Sequence, residues 1–201
     1  GEDRPVSRAG IRVVVAGAGG KMGQTLIEGV RADKSLMLAA ALDVKGSPAV
    51  GTNIGGVKVG SDVRKAIDAG DVLIDFTRPE GTIEHLEVCA RLGKSIVIGT
   101  TGFTDALKKA ILRAGRKIPI AMSPNFAVGV NAVFKLAEVA AGILGDDYDV
   151  EIIEAHHRHK VDAPSGTALK LGEIVAAALK RDLKKIARHG REGDTGVRPL
   201  K

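Results

Sequence analysis

Short runs of β-branched and other apolar residues alternate along the chain with stretches whose apolar residues recur every three or four positions. The runs predict buried strands and the stretches predict amphipathic helices. A strand and helix in regular alternation, with short connections, predicts a parallel sheet covered by helices on both faces. The predicted strands are 11–16, 36–42, 72–76, 95–98, 118–122 and 150–155, and the predicted helices are 21–32, 62–69, 79–92, 104–115, 127–144 and 167–179.

Glycine and cysteine contents narrow the class of protein. The chain has 26 glycines among 201 residues, without a collagen repeat, so they are expected to serve turns and close backbone approaches. A single cysteine excludes an intramolecular disulfide framework and a multi-cysteine zinc site, which favours a reducing, cytoplasmic compartment. No apolar run is expected to reach the roughly 18 residues of a membrane span, and residues 1–10 lack the apolar segment of a signal peptide.

The net charge of +6 is concentrated at the end of the chain. Residues 180–201 contain eight Lys or Arg and three acidic residues, which leaves a net charge of +1 for the remainder. A charge run of this kind is more often a solvated surface than a phosphate-binding patch, and aromatic residues for base stacking are scarce. The sequence therefore predicts no nucleic-acid or membrane partner.

A glycine-rich loop joins the first predicted strand to the first helix. Gly17 and Gly19 match the first two glycines of the G-x-G-x-x-G fingerprint, but Met22 occupies the third position and Gly23 follows it. Glycines at a strand-to-helix turn let the backbone approach a pyrophosphate, which the helix N-terminus attracts. The loop therefore predicts dinucleotide binding, although a structural turn is the alternative. The candidate contacts are Gly17, Ala18, Gly19, Gly20, Lys21 and Met22.

Asp43 ends the second predicted strand, at the distance expected for the acid that binds the cofactor ribose. A carboxylate here favours the 2′-hydroxyl of NADH, and Val44 offers nothing to the 2′-phosphate of NADPH. Lys45 could do so, which keeps dual use open. The expected cofactor is NADH or NADPH, with NADH favoured.

Three further loops of small and polar residues follow later strands. Because the carboxyl ends of parallel strands meet at one edge of a sheet, we expect these loops to share a ligand, although each could be a mere connection. The first is 76–79. The candidate cofactor contacts in the other two are Gly99, Thr100, Thr101, Ser123, Pro124, Asn125 and Phe126.

The segment 151–167 is rich in histidine and is followed by a predicted helix. It places three of the five histidines with one Arg and one Lys at 156–160. Metal binding is one interpretation, but neighbouring histidines point apart in an extended chain and the two cations oppose a metal ion; we predict no metal. A solvated basic loop is a second interpretation. The third is a site for a small anionic dicarboxylate, because histidine exchanges protons near neutral pH and a helix N-terminus attracts carboxylates.

Together the segments VAGAGGKMG, DFTRPEGT, GTTGF, SPNFAVGVN and EAHHRHKVDAPSGTA resemble the 4-hydroxy-tetrahydrodipicolinate reductase (dihydrodipicolinate reductase) family of lysine biosynthesis. The resemblance implies an α/β fold: a Rossmann-like parallel-sheet domain followed by a smaller α+β substrate and oligomerisation domain. The expected divisions are a disordered lead-in at 1–10, a dinucleotide-binding domain at 11–127 and a substrate-binding domain at 128–201. Family members usually continue further, so the second domain is expected to be incomplete.

The family also implies an activity and residue roles. NADH or NADPH reduces 4-hydroxy-tetrahydrodipicolinate to tetrahydrodipicolinate with loss of water, in a cytoplasmic homotetramer. By motif, His156 and Lys160 resemble the catalytic proton-transfer groups, His157 a substrate contact, and Gly166 with Thr167 the carboxylate cradle. NADPH-using members often carry a basic residue where this chain has Val44. The alternatives are another Rossmann oxidoreductase acting on an amino-acid semialdehyde, and a non-catalytic dinucleotide-binding fragment.

Overall fold

The computed structural model describes residues 10–158, 160–161 and 163–196. The chain divides into two compact units between Pro124 and Asn125. The predicted lead-in, residues 1–10, lies outside the described residues except for Gly10.

The first unit is a seven-stranded sheet with helices between its strands. In the order of the sheet, the strands are β3-β4-β2-β1-β5-β6-β7. Only β3 pairs in the antiparallel sense, and the other neighbours are parallel. The elements are β1 (Ile11–Ala16), α1 (Lys21–Ala32), β2 (Leu36–Leu42), β3 (Asn53–Ile54), β4 (Val57–Gly60), α2 (Val63–Asp68), β5 (Val72–Asp75), α3 (Pro79–Leu92), β6 (Ser95–Ile98), α4 (Asp105–Ala114) and β7 (Ile120–Met122).

Side chains of β1 alternate between two apolar clusters. Val13 and Val15 join the cluster that includes Ile27 of α1, whereas Val14 and Ala16 join the cluster that includes Leu86 of α3. Successive strand residues point to opposite faces, so an uninterrupted apolar run is buried only if both faces are covered. The predicted parallel sheet with helices on both faces is therefore confirmed.

Local signals set the helix ends in this unit. Pro79 occupies the first turn of α3, where its missing N–H costs nothing, and Gly93 ends that helix with φ of 67°. The side chain of Asp62 accepts a hydrogen bond from the backbone N–H of Lys65 and caps α2.

Two segments differ from the sequence-based expectation. Residues 45–60 lie outside every strand and helix that the sequence predicts, but β3 and β4 form a hairpin there, whose turn is Gly55-Gly56, both with positive φ. Residues 150–155 were expected to form a strand, and this prediction is wrong, because the described structure assigns no strand there. A strand needs a partner for its backbone hydrogen bonds, and none of the described residues pairs with this segment.

The second unit contains α5 (Val128–Leu144), a short 3₁₀ turn (Gly145–Asp147), α6 (Gly166–Ala178) and α7 (Leu183–Ile186). Helices α5 and α6 contact each other. Most of the apolar surface of α5 is exposed, including Leu136 at 69% and Ile143 at 78%. By length and composition alone, Val128–Asp147 could span a membrane, because an 18-residue window within it has a mean hydropathy of 1.5. The expectation that no apolar run approaches that length is wrong.

Candidate active site

The glycine loop lies between the carboxyl end of β1 and the start of α1. Gly17 has φ of 72°, a conformation that favours glycine. The loop is fixed by hydrogen bonds from the N–H of Ala18 to the carbonyl of Leu42 (3.0 Å) and from the N–H of Gly20 to the carbonyl of Gly17 (3.0 Å). No side chain caps α1 at Gly20, so the first N–H groups of that helix face the loop without a side-chain acceptor.

Gly23 allows the first helix to pack closely against the glycine loop, which is the role of the third glycine in the fingerprint. A Cβ atom at Gly23 would lie 2.0 Å from the carbonyl oxygen of Gly17 and 2.9 Å from the Cα of Ala18. The first turn of α1 therefore rests directly on the glycine loop. Met22, at the position where the fingerprint has its third glycine, is 49% exposed and makes no such contact necessary. The glycine that packs against the loop is therefore one residue later than in the fingerprint.

Asp43 is joined to the glycine loop. Its Oδ2 accepts the N–H of Gly19 at 2.8 Å, and its Oδ1 accepts the N–H of Val44 at 2.7 Å. A Cβ at Gly19 would lie 2.7 Å from both the Asp43 carboxylate and the Cβ of Ala49, so only glycine fits this contact. The side chain of Val44 is 73% exposed. The ribose-binding candidate and the pyrophosphate-binding candidates are therefore brought together.

The loops after β5 and β6 leave the sheet at the same level as the glycine loop. Asp75, the last residue of β5, pairs in register with Ala16 of β1 and with Ile98 of β6. A Cβ at Gly99 would lie 2.0 Å from the ring of Phe76, so the absence of a side chain at Gly99 lets the two loops pack together. Of the predicted contacts in 99–101, Thr100 is buried (4% exposed), and Thr101 is exposed.

The loop 123–126 crosses the division between the two units. The N–H of Ser123 donates to the carbonyl of Ile98 at 3.2 Å and ties this part to β6. Asn125 belongs to the second unit, where its Oδ1 accepts the N–H of Ala127 at 2.8 Å. The side-chain amide of Asn131 donates to the Asn125 carbonyl at 2.9 Å, a supporting contact that the sequence motifs did not reveal. The remaining candidates of this loop, Pro124 and Phe126, are exposed.

Glu154 links His156 to the start of α6 in the second unit. Its Oε2 lies 2.8 Å from His156 Nε2, and its Oε1 accepts the N–H of Ser165 at 2.9 Å. Hydrogen bonds from Ser165, followed by that of His156, lower the pKa of Glu154 from 4.5 to about 2. The hydroxyl of Ser165 in turn accepts the N–H of Ala168 at 3.1 Å and caps α6. Glu154 is not among the site residues predicted from the sequence motifs.

The other candidates of this segment surround that link. Gly166 and Thr167 form the exposed first turn of α6, next to Ser165. The N–H of Lys160 donates to the carbonyl of His157 at 3.1 Å, so the segment turns back at this point. His159, the third histidine of the segment, and Asp162 lie outside the described residues.

Metal binding and thiol chemistry find no support in the part of the chain that the structure describes. It contains no group of three or more His, Cys, Asp or Glu side chains that could hold a metal ion. Cys89 is fully buried, and burial together with the charge of Asp75 raises its thiol pKa to about 12. Its thiolate, the reactive form, is therefore not populated near neutral pH.

A Rossmann-type sheet, a glycine loop on a helix N-terminus and an acid directly after β2 define the class of dinucleotide-binding Rossmann domains. Comparison with known families is more specific. The family described as "Dihydrodipicolinate reductase, N-terminus" matches residues 11–126, and "Dihydrodipicolinate reductase, C-terminus" matches residues 129–198. The chain belongs to the dihydrodipicolinate reductase family. The predictions of family, Rossmann-like fold and reductase class are confirmed.

Individual relatives agree with the family. The 4-hydroxy-tetrahydrodipicolinate reductase of Aromatoleum aromaticum is 55% identical over 195 residues, which are 94% of this chain and 71% of the relative. That of Cupriavidus metallidurans is 54% identical over 198 residues, 95% of this chain and 75% of the relative. The solved dipicolinate-bound dihydrodipicolinate reductase from Paenisporosarcina sp. TG-14 is 34% identical, with a TM-score of 0.72 over 92% of this chain and 72% of that chain.

The family also gives the apolar helix α5 a context. The match to the C-terminal family description begins at residue 129 and runs through α5. Lys135 and Glu138, one turn apart on this helix, form an ion pair at 2.9 Å. Charged residues are costly in the centre of a membrane-spanning helix, so this ion pair argues against a membrane span. The family match makes α5 part of the C-terminal domain.

Proposed function

We propose that this chain catalyses the NAD(P)H-dependent reduction of 4-hydroxy-tetrahydrodipicolinate to tetrahydrodipicolinate, with loss of water, in diaminopimelate and lysine biosynthesis. The relatives, which are 4-hydroxy-tetrahydrodipicolinate reductases, support the reaction, and the dipicolinate bound to one solved relative supports a small dicarboxylate as substrate. The observation that carries the proposal is the bridge made by Glu154. It holds an imidazole, which can exchange a proton, beside a helix N-terminus, which can attract a carboxylate, and both suit the reduction of a dianionic imine.

A nicotinamide cofactor held by the glycine loop and Asp43 would supply the hydride for the cyclic unsaturated imine that remains after loss of water. The substrate then carries a nucleophilic nitrogen or carbon that must take a proton. His156 is the proposed proton donor and acceptor. Because Glu154 engages Nε2, the other ring nitrogen, Nδ1, is the atom we assign to proton transfer with the substrate.

The charges of the neighbouring residues suit a dicarboxylate. Lys160 supplies a positive charge and a second proton, and His157 is the proposed substrate contact. The exposed first turn of α6, at Gly166 and Thr167, offers backbone N–H groups and a hydroxyl to a carboxylate. Fixed donors and cations in such a site stabilise the charge that develops during reaction.

The first unit is proposed to hold the cofactor. The residues from Gly17 to Met22 would receive the pyrophosphate, and loops 99–101 and 123–126 would complete the site. Asp43 would accept the ribose 2′-hydroxyl, which supports a preference for NADH over NADPH. A 2′-phosphate at this position would place like charges together, and Val44 offers it no donor.

Asp43→Asn is expected to reverse or erase the cofactor preference. Asparagine keeps an oxygen that can accept the N–H of Gly19, so the loop stays in place while the charge is lost. We expect the ratio of kcat/KM for NADH to that for NADPH to fall by about 10-fold. Steady-state kinetics with each cofactor measures this ratio.

The matched control for that measurement is Asp68→Asn, which removes an exposed carboxylate from α2 in the same unit. It should leave the ratio unchanged. An unchanged ratio in Asp43→Asn would instead show that Asp43 does not face the ribose.

Glu154→Gln is expected to lower kcat by about 10-fold without changing the affinity for NADH. The amide can still accept the N–H of Ser165, but it offers His156 a neutral partner in place of a carboxylate. The control is Glu151→Gln, three residues earlier, which removes a carboxylate that pairs with Arg191. Loss of activity in both variants alike would contradict a specific role for Glu154.

The same variant has an expected pH signature. Since the pKa of Glu154 is lowered from 4.5 to about 2, its charged form stabilises the folded chain above pH 4.5, and this contribution is lost as the pH falls towards 2. We therefore expect Glu154→Gln to melt at a lower temperature than the wild type at neutral pH. The difference should shrink below pH 4.5 in thermal unfolding monitored by circular dichroism.

The overall proposal is tested by following NADH oxidation with freshly made 4-hydroxy-tetrahydrodipicolinate and with a panel of amino-acid semialdehydes. Turnover of the first substrate alone supports the proposal, and turnover of a semialdehyde alone identifies the alternative oxidoreductase. NADH binding without turnover of either would identify a non-catalytic binding fragment. Cytoplasmic location and a homotetramer stay predictions from the family resemblance.

A further inference from the structure

A buried carboxylate–imidazole pair lies beneath the proposed cofactor loops, and the mechanism above does not use it. Asp75, at the end of β5, is fully buried, and His85 of α3 is 7% exposed. Asp75 Oδ2 and His85 Nδ1 are 2.7 Å apart. Burial of a carboxylate costs free energy unless it is paired and hydrogen-bonded, and His85 provides that pairing. We therefore ask what this buried pair does for the loops above it.

The second oxygen of Asp75 fixes the loop that follows β5. Oδ1 accepts both the N–H of Thr77 at 2.8 Å and the Thr77 hydroxyl at 2.7 Å. Burial alone raises the pKa of the Asp75 carboxyl, but the hydrogen bond and charge of His85, together with the bonds from Thr77, hold it below its ordinary value. Asp75 is therefore ionised near neutral pH and acts as an acceptor for both bonds.

The same carboxylate reaches the loop that follows β6. Thr100, one of the predicted cofactor contacts, turns its hydroxyl inward to Asp75 Oδ1 at 3.5 Å. The hydroxyl of Thr82, on α3 like His85, donates to that of Thr100 at 2.8 Å. Two loops that leave adjacent strands are thus held by one carboxylate and one helix. The outward surface of 99–101 is left to the backbone and to Thr101.

We infer that Asp75 and His85 position loops 76–79 and 99–102 for the dinucleotide cofactor, His85 acting through Asp75 and touching neither cofactor nor substrate. The inference rests on the proposed cofactor-facing role of these loops. The network spans residues 75 to 100 of the first unit. The proposed substrate residues belong to the second unit and are not part of this network.

The test compares His85→Leu with His85→Asn by titrating NADH and following its fluorescence, without substrate. Leucine removes the partner of Asp75, and asparagine places an amide nitrogen where Nδ1 lies. We expect the Kd for NADH to rise by about 10-fold or more in His85→Leu and to stay within about 3-fold of wild type in His85→Asn. At saturating NADH, kcat of His85→Leu should change much less than KM for NADH.

Val88→Ala is the matched control, because Val88 is buried on the same helix and has no polar group. It should lower the melting temperature and leave the Kd unchanged. A wild-type Kd in His85→Leu, or an equal loss of affinity in Val88→Ala, would overturn the inference. If the wild type itself fails to bind NADH, the proposed function fails instead.

A second variant decides the matter if His85→Leu does not fold. Thr77→Val keeps the shape of the side chain and the buried pair but removes the hydroxyl bond to Asp75. The expected result is an increase of about 3- to 10-fold in the Kd for NADH. A wild-type Kd in a folded Thr77→Val would overturn the inference.

Discussion

The double substitution His156→Gln with Lys160→Ala is expected to lower kcat by about 10² to 10⁴-fold while changing the Kd for NADH by less than about 3-fold. Glutamine can occupy the place of the imidazole beside Glu154, but it cannot exchange a proton. Alanine at 160 removes the second proton donor and a positive charge that suits a dicarboxylate. The measurement is NADH oxidation with freshly made substrate, together with NADH binding in its absence.

The two single variants and a matched double control separate the roles. His189→Gln with Lys135→Ala changes the same residue types in the same unit, at positions outside the 151–167 segment, and should retain wild-type turnover. We expect His156→Gln alone to cause the larger loss, since Glu154 holds that ring in place. Full activity in the His156 and Lys160 double variant would remove both residues from the proposed mechanism.

The sheet of the first unit could be predicted from sequence because its signals are local. Pro79 and Gly93 mark the two ends of α3, and an unbroken apolar run such as residues 13–16 of β1 has few alternatives to a buried strand. The hairpin of β3 and β4 was missed even though its signal was present. Gly55-Gly56 between two short runs is a typical two-residue hairpin turn.

The error at 150–155 has a different origin. Its β-branched residues, such as Val150 and Ile152, favour a strand only when another strand supplies the hydrogen bonds and the packing surface. That partner is a property of the tertiary structure and leaves no trace in the segment itself. Among the described residues of the second unit, no such partner is present.

Parts of the candidate site were likewise beyond sequence reasoning. The glycine loop, Asp43 and the histidine segment were found because motif spacing carries their chemistry. His85 has no motif context and is interpreted from sequence as an ordinary structural residue, because its partner, Asp75, lies ten residues earlier at the end of β5 and only the fold brings the two together. Glu154 was overlooked although it lies two residues from His156, because only the folded chain brings Ser165 to its other oxygen.

Gly23→Ala is expected to raise the Kd for NADH by on the order of 100-fold. The new Cβ would lie 2.0 Å from the carbonyl oxygen of Gly17, a backbone atom, so α1 or the glycine loop must move. Inserting a methyl group into a packed site of this kind costs about 1–3 kcal/mol, and the upper end of that range corresponds to about 100-fold in binding if the displaced loop must return to receive the cofactor. NADH titration and thermal unfolding measure the two effects.

Gly29→Ala on the same helix is the control that isolates the contact. A Cβ at Gly29 meets nothing within 4 Å, and alanine favours a helix over glycine by about 1 kcal/mol. This variant should therefore melt at a higher temperature and bind NADH as the wild type does. If Gly23→Ala also bound NADH with wild-type affinity, Gly23 would not be the third glycine of the fingerprint, and Met22 at the expected spacing would have to be accommodated in some other way.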